Sequence, residues 1–107
     1  MKNNYGLKSE DLDLLRKRDN LCVYCKKIMA PTSSKKPRKD WATIEHLNYL
    51  PPWNNIKTVV FCCWSCNSSR GNKRITDWFN SSYCKLNNIK LSNVANPVRK
   101  YIAKFEK

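Results

Sequence analysis

Two Cys-x-x-Cys pairs constrain the fold of this chain more than any other feature of its sequence. Cys22 and Cys25 form the first pair, and Cys63 and Cys66 form the second. A gap of two residues lets both sulfurs of one pair face the same ion, and Zn2+ prefers four such ligands in a tetrahedron. The spacing therefore predicts that both pairs converge on one structural zinc ion, although they lie far apart in the chain.

Two further cysteines need a separate interpretation. Cys62 directly precedes Cys63, and a pair made of Cys62 and Cys66 would also have an allowed spacing. Cys63 is preferred because it reproduces the spacing of the first pair. On an alternating strand Cys62 would then face the other way and pack as a small apolar core residue. Cys84 lies in a polar stretch, and no role is assigned to it.

The length and the charge of the chain indicate its organisation and its partner. A chain of 107 residues predicts one domain over 1–107, with a motif core over about 20–75 and a helical extension over 76–107. The 21 Lys and Arg residues outnumber the 8 Asp and Glu residues, which gives a net charge of +13. Such a charge favours a polyanionic partner, and nucleic acid is the commonest one. The alternatives are a solvated basic surface and a membrane surface, but no amphipathic membrane helix is evident.

The N-terminal residues and the hydropathy indicate the compartment. Residues 1–13 are polar and contain acids, so they do not resemble a signal peptide. No stretch approaches the roughly 20 apolar residues that a bilayer span needs. We therefore expect an intracellular protein, cytoplasmic or virus-encoded in a host cell, and neither secreted nor membrane-bound. Thiols stay reduced there, which favours metal binding over disulfides.

The pattern of apolar residues predicts a small α+β fold. Residues 43–46 and 59–62 have the composition of two short strands. A helix is expected from Trp64 and should end at Gly71. The loop over 26–41 is basic and contains two prolines, so no regular structure is expected there.

Flanking helices are predicted on both sides of this core. Ser9 is the expected N-cap of the first helix, and Thr76 that of a short one after the motif. Asn96 is the expected N-cap of the last helix, with Pro97 in its first position. An apolar stripe at helical spacing is expected to pack in the core and consists of Val98, Tyr101, Ile102 and Phe105.

A Glu-His pair between the two cysteine pairs indicates chemistry beyond a zinc module. Glu45 and His46 hold these positions, Asn67 directly follows Cys66, and His46 is the single histidine of the chain. Hydrolysis of a phosphodiester needs a base for the water and a cation for the developing charge. An imidazole is a suitable base near neutral pH, and carboxylate and amide oxygens are ligands for Mg2+ or Mn2+. On a strict strand His46 would point away from Glu45, so a bend or a strand end must bring them together.

Basic residues near Asn67 are candidates for contacts with phosphate. Arg70, Lys73 and Arg74 lie on or just after the predicted helix. Each could instead be a solvated surface residue, Asn67 could be a helix cap, and His46 could be a histidine without a catalytic role.

Taken together, these residues resemble the HNH endonuclease family, whose core is the ββα-metal motif. The matching segments are Glu45-His46 and residues 63–73, together with Cys22 and Cys25, and the resemblance covers roughly residues 15–75. The residue after the last cysteine makes the chain similar to the recombination endonuclease VII branch and to many phage and restriction HNH enzymes. The resemblance implies that a β-hairpin and a helix together bind one divalent ion. It places Glu45 where the family usually has an Asp ligand, His46 as the general base, and Asn67 as the final ligand.

One position departs from the family pattern. The family usually has an Asn five residues before the third zinc cysteine, where it braces the hairpin and orients the base. Thr58 stands there in this chain, whereas Asn54 and Asn55 lie just upstream. Asn55 is the preferred candidate for this orienting role, provided that the loop carries a small insertion.

The sequence thus predicts a zinc-stapled ββα-metal domain of the His-Me finger type with flanking helices, which cleaves or nicks DNA with Mg2+ or Mn2+. The main alternative is a non-catalytic zinc module that binds nucleic acid, and a protein-binding regulator is a third. One active site cuts one strand, so a double-strand cut would need a homodimer or two encounters. The target sequence and the biological role, such as restriction, homing, junction resolution, packaging or defence, stay open.

Overall fold

A computed structural model describes residues 7–31, 38–48 and 56–106 of the chain. These residues form an α+β structure with one two-stranded antiparallel sheet and several helices, as the sequence predicted at the level of fold class. The elements in chain order are helix α1 (Ser9–Arg18), strand β1 (Ala42–His46), a 3-10 helix (Ile56–Thr58), strand β2 (Val59–Cys63), and helices α2 (Trp64–Arg70), α3 (Ile75–Trp78), α4 (Ser82–Leu86) and α5 (Asn96–Phe105).

The two predicted strands are confirmed and form an antiparallel pair, each one residue longer than expected. Ile44 lies opposite Phe61, and His46 lies opposite Val59. Residues directly opposite each other in such a pair point to the same face of the sheet. His46 therefore shares one face with the apolar residues Ile44, Val59 and Phe61, whereas Glu45 points to the other.

Each face of the hairpin packs against its own hydrophobic cluster. On the face of Ile44, the apolar side chains of β2 pack against Leu15 of α1 and against Leu7. On the opposite face, Val60 and Cys62 join a larger cluster that includes Trp78 of α3 and residues of α4 and α5. All five residues of β2 are buried, because both of its faces are covered. The sequence of β2 is consequently a continuous run of apolar residues and does not alternate between apolar and polar ones.

Helix α2 follows β2 without a linker and ends as predicted. Gly71 follows its last residue with a φ of +54°, in the region that favours glycine. The amide of Gly71 donates to the carbonyl of Asn67 at 3.0 Å, which satisfies one of the last carbonyls of the helix.

The predicted N-caps of the other helices are wrong by one or two residues. Ser9 and Asn96 are the first helical residues of α1 and α5, so Lys8 and Ala95 hold the cap positions and Pro97 comes second. Neither cap residue supplies a side-chain hydrogen bond to its helix. Ala95 is fixed instead by a tertiary contact, because its amide donates to the carbonyl of Val23 at 2.9 Å.

Helix α3 is capped by a residue from the far end of the chain rather than by Thr76. The buried carboxylate of Glu106 accepts the amides of Ile75 at 3.2 Å and Thr76 at 3.0 Å. The hydroxyl of Thr76 donates to the same carboxylate at 3.1 Å. Arg74 occupies the N-cap position and makes no side-chain cap. Glu106 thus accepts the hydrogen bonds of the first amides of α3, which the side chain of a local N-cap residue would otherwise accept.

The apolar stripe of α5 is confirmed for three of its four residues. Val98, Tyr101 and Ile102 are buried, whereas Phe105 is 55% exposed, so its predicted place in the core is wrong. Phe105 lies at the last turn of the helix, where its ring packs beside that of Tyr101 at a centroid distance of 5.0 Å.

The basic loop has little regular structure where the structure describes it, in residues 26–31 and 38–41. It takes part in two isolated bridges, one between Ile28 and the preceding residue Leu21 and one between Ala30 and Trp41. Within the described ranges, no helix has the length and apolar character needed to cross a bilayer.

Candidate metal centre and active site

The four predicted zinc ligands come together in one cluster. The sulfurs of Cys22, Cys25, Cys63 and Cys66 all lie within 4.8 Å of one another. The Sγ atoms of Cys25 and Cys63 are 3.8 Å apart. Two Zn–S bonds of about 2.3 Å at a tetrahedral angle place their sulfurs about 3.8 Å apart, so the spacing suits this ion. The cluster can therefore hold a metal ion such as zinc.

Two different local structures present these thiols. The first pair lies in a tight turn in which the amide of Lys26 donates to the carbonyl of Cys22 at 3.0 Å. Lys26 has a φ of +66°, a left-handed conformation that lets the chain fold back behind Cys25. The second pair lies where β2 becomes α2, and Cys63 caps that helix by accepting the amide of Cys66 at 3.4 Å.

Hydrogen bonds link the clustered thiols to one another and to a tyrosine. Side-chain hydrogen bonds with the other three cysteines lower the pKa of Cys25 well below its usual value, whereas those with Cys22 and Cys25 raise the pKa values of Cys63 and Cys66. The hydroxyl of Tyr83 lies 3.3 Å from the sulfur of Cys66, to which it donates. Hydrogen bonds of this kind stabilise metal-bound sulfur and orient it. Sequence reasoning missed Tyr83, because it lies outside the cysteine motif and only the packing of α4 brings it there.

The two remaining cysteines are both core residues. Cys62 is fully buried outside the thiol cluster, as the choice of Cys63 predicted. Cys84 is also fully buried and packs in the larger hydrophobic cluster, which gives it the role that the sequence left unassigned. Burial raises the pKa of both thiols, so they stay protonated and apolar.

Glu45 lies on the face of the hairpin that α2 covers, and its side chain is 1% exposed. Its Oε2 accepts a hydrogen bond from the Tyr24 hydroxyl at 2.9 Å and one from Arg70 Nη1 at 3.2 Å. Burial raises the pKa of Glu45 to about 7, although the charge of Arg70 and the bond from Tyr24 act in the opposite direction. Both bonds from described residues go to Oε2, which leaves Oε1 as the oxygen that could bind a cation.

The structure corrects the prediction that Arg70 contacts phosphate. Its side chain is 0% exposed, and its guanidinium is held inside the protein. Besides Glu45, it donates to the carbonyls of His46 at 2.6 Å, Leu47 at 2.5 Å and Lys73 at 2.6 Å. A cation with all these partners cannot reach a phosphate on the surface. Arg70 instead fixes the end of β1 against α2.

His46 is the last residue of β1, but its pairing with Val59 keeps the ring on the face opposite Glu45, so the strand end does not bring the two side chains together. Its Nδ1 lies 2.7 Å from the carbonyl of Asn48. A carbonyl only accepts, so Nδ1 carries the proton and the neutral ring has its lone pair on Nε2. Burial lowers the pKa of His46 and the charge of Arg70 lowers it further, against the opposing bond to Asn48. The ring is therefore mainly neutral at physiological pH, with Nε2 unprotonated.

Asn67 lies in the middle of α2 and bonds to the hairpin rather than capping the helix. Its Nδ2 donates to Thr43 Oγ1 at 3.0 Å and to the carbonyl of Ile44 at 3.2 Å. The alternative role as a helix cap is therefore wrong, since Cys63 holds that position. Both bonds use the nitrogen, so the amide oxygen is the atom that could act as a ligand.

The predicted site residues are thus brought together only in part. Asn67 and Glu45 belong to the face of the hairpin that α2 covers, whereas the register places the His46 ring on the other face. Lys73 and Arg74 are exposed, as phosphate contacts must be. Among the described residues, the four cysteines are the only group of three or more Cys, His, Asp or Glu side chains within metal-binding distance.

The position that would orient the base stays a prediction. Asn54 and Asn55 lie outside the described residues. Thr58 lies in the 3-10 helix, and its carbonyl accepts the amide of Leu47 at 2.7 Å, which closes the hairpin just beyond His46.

No protein-family model, curated protein or solved structure matches this chain.

Proposed function

We propose that this protein is an HNH-type endonuclease with a ββα-metal core, which hydrolyses phosphodiester bonds in DNA with the help of Mg2+ or Mn2+. The observation that carries the proposal is the state of His46 at the end of β1. The bond from Nδ1 to the Asn48 carbonyl fixes the tautomer in which Nε2 is the basic nitrogen. A neutral imidazole with a lowered pKa is suited to accept a proton from water near pH 7.

In the proposed reaction, His46 Nε2 takes a proton from a water molecule as its oxygen attacks the phosphorus. A bond from phosphorus to oxygen forms, and the bond to the leaving sugar oxygen breaks. Arg70 acts as a positioning residue, since its bond to the His46 carbonyl holds the strand end that carries the base. Lys73 and Arg74 are exposed where α2 ends and are the proposed contacts with the DNA backbone.

The proposed ligands of the divalent ion are the oxygens that the hairpin leaves available. These are Oε1 of Glu45 and the amide oxygen of Asn67, and hard cations prefer such oxygen donors. When bound, the ion supplies charge neutralisation for the phosphate and for the leaving oxygen. The net charge of +13 supports DNA as the substrate, because it favours binding to a polyanion.

The proposed zinc ion has a structural role in this scheme. It would join the turn at Cys22 and Cys25 to the junction of β2 and α2, which is the junction that places Asn67 against β1. Binding of a structural metal contributes directly to folding free energy.

A non-catalytic zinc module that binds nucleic acid is the second candidate. The ion pair between Glu45 and Arg70 favours it, because it gives the carboxylate a structural partner and holds it nearly out of contact with solvent. This candidate accounts for the charge and the cysteines, and it predicts DNA binding without cleavage.

Cleavage of supercoiled plasmid distinguishes the two candidates. The zinc-loaded protein is incubated with Mg2+, with Mn2+ or with EDTA, and the wild type is compared with His46→Ala and Asn67→Ala. We expect metal-dependent nicked or linear product from the wild type and a loss of about 100-fold or more for His46→Ala. The exposed Asn80→Ala serves as the matched control for Asn67→Ala and should cleave normally. Tight, salt-sensitive DNA binding with no cleavage under any metal would favour the non-catalytic module.

A further inference from the structure

A basic groove lies between the end of α1, the 3-10 helix and α5. Its volume is about 740 Å3, and six basic residues line it against one acidic residue. We call it the α5 groove, and the lining residues that matter below are Thr58, Arg99, Lys100, Tyr101, Lys104 and Phe105.

The positive charge of the α5 groove is neutralised only in part by the groove's own residues. Its one acid, Asp19, is buried and already pairs with Arg18 at 2.8 Å while accepting the amide of Phe61 at 2.9 Å. Arg99, Lys100 and Lys104 are exposed on α5 and form no ion pair with any described residue. The groove therefore presents unpaired cations to solvent, which suits a row of phosphates.

An exposed aromatic ring lies among these cations. Phe105 is 55% exposed, and its ring packs beside Tyr101 at 5.0 Å between centroids. The Nζ of Lys104 lies 5.2 Å from the centroid of the Phe105 ring. An aromatic face next to basic side chains is the arrangement on which unpaired bases stack while their phosphates contact the cations.

The groove reaches the end of the hairpin that carries His46. Thr58 lines the groove, and its carbonyl accepts the amide of Leu47 at 2.7 Å. The next residue, Val59, pairs with His46. A strand bound along α5 would therefore lead towards the proposed base.

We propose that the α5 groove binds an unpaired DNA strand, with a base stacked on Phe105 and phosphates on Arg99, Lys100 and Lys104. The bases of a duplex are stacked on one another and offer no face to this ring, so the groove should prefer single strands. The inference rests on the proposed function, for which it names the substrate as DNA with a single-stranded segment.

Fluorescence anisotropy with a labelled oligo(dT) 20-mer and a 20-base-pair duplex tests the proposal. The measurements use zinc-loaded protein without Mg2+ or Mn2+, so binding is read without cleavage. We expect tighter binding of the single strand, and a loss on the order of tenfold for Phe105→Ala. Phe105→Tyr keeps a stacking ring and should restore the affinity. Leu86→Ala is the matched control, since Leu86 is 86% exposed on α4 outside the groove.

The salt dependence tests the phosphate contacts separately. Removal of two cations with Lys100→Ala/Lys104→Ala should make the slope of log affinity against log salt concentration less negative by about 1.4 for the single strand. The control Lys85→Ala/Lys90→Ala removes the same charge outside the groove and should change the slope less.

Two results would overturn the inference. One is equal oligo(dT) affinity for Phe105→Ala and Leu86→Ala, and the other is duplex binding as tight as single-strand binding. Both readouts are independent of catalysis. Plasmid cleavage that persists after such a result would refute the groove alone, and groove binding without any cleavage would refute the nuclease alone.

Discussion

Arg70 donates through Nη1 to the main-chain carbonyl of His46 at 2.6 Å, from a side chain that is completely buried. The same nitrogen also bonds to the carboxylate of Glu45 at 3.2 Å. One cation on α2 thus holds both residues of the Glu-His pair, one through its backbone and the other through its side chain. The position of the proposed base therefore depends on Arg70, which also forms the buried ion pair with Glu45.

Replacing this cation should therefore destabilise the fold. Arg70→Met leaves Glu45 buried without its charged partner and removes the hydrogen bonds that Arg70 donates to the carbonyls of His46 and Leu47. Breaking one side of a buried pair costs about 3–5 kcal/mol of unfolding free energy. Urea denaturation of the zinc-loaded protein measures this change.

Arg74→Met is the matched control, because Arg74 is exposed and makes no side-chain cap for α3. It should change stability by less than about 0.5 kcal/mol. Equal midpoints for the two variants would show that the Arg70 ion pair contributes nothing to the fold.

Replacing one of the four clustered cysteines should affect stability far more than replacing the proposed base. Cys25→Ser removes one of four ligands and should lower the thermal midpoint sharply, with loss of bound zinc, because metal binding is part of the folding free energy. His46→Ala should leave the zinc content and the fold nearly intact while it abolishes cleavage. Calorimetry and metal analysis of both variants measure these effects. Equal thermal midpoints for Cys25→Ser and His46→Ala would contradict a structural role for the cysteine and a separate catalytic role for the histidine.

The Tyr83 hydroxyl should increase the affinity of the cluster for zinc. Its bond to the sulfur of Cys66 supports a ligand from outside the motif. Loss of such a partner typically weakens metal binding by about 10- to 100-fold, and we expect Tyr83→Phe to fall in this range. Competition with a chromophoric chelator measures the affinity.

Ser65→Ala provides the comparison, since it removes the other contact of the same hydroxyl at 2.8 Å and leaves the bond to Cys66 in place. It should weaken zinc binding less than Tyr83→Phe does. The reverse order would indicate that the hydroxyl acts through Ser65 rather than through the sulfur.

The parts of the fold that the sequence predicted are those with a local signal. The cysteine spacing predicted the thiol cluster, the apolar runs predicted both strands, and Gly71 predicted the end of α2. Of the three misplaced helix starts, those of α3 and α5 involve tertiary contacts. Glu106 caps α3 although it lies 31 residues after Ile75 in the sequence. No local sequence pattern around α3 could predict a cap from so distant a residue.

The sequence contained a signal for the structural role of Arg70, which its interpretation as a phosphate contact overlooked. It lies three residues after Asn67 on α2, so both side chains lie on the same face of the helix. Because Asn67 was expected to face the hairpin, Arg70 could have been expected there too, as a partner for a buried Glu45. Phe105 is the opposite case, since its helical spacing matched the core stripe but its place at the last turn left it exposed.

The pH dependence of cleavage should report the lowered pKa of His46. The base works only when Nε2 is unprotonated, so kcat/KM should rise with pH through this pKa and then level off. Because burial and the charge of Arg70 lower the pKa of His46 from its usual value of 6.5, the midpoint of the rise should lie below pH 6.5, with the base mainly unprotonated at pH 7. Initial rates on a labelled oligonucleotide at fixed Mg2+ measure the profile, and anisotropy over the same range shows whether DNA binding stays constant. A rise that continues through pH 8 or above would assign the limiting ionisation to another group and would exclude His46 in this state as the base.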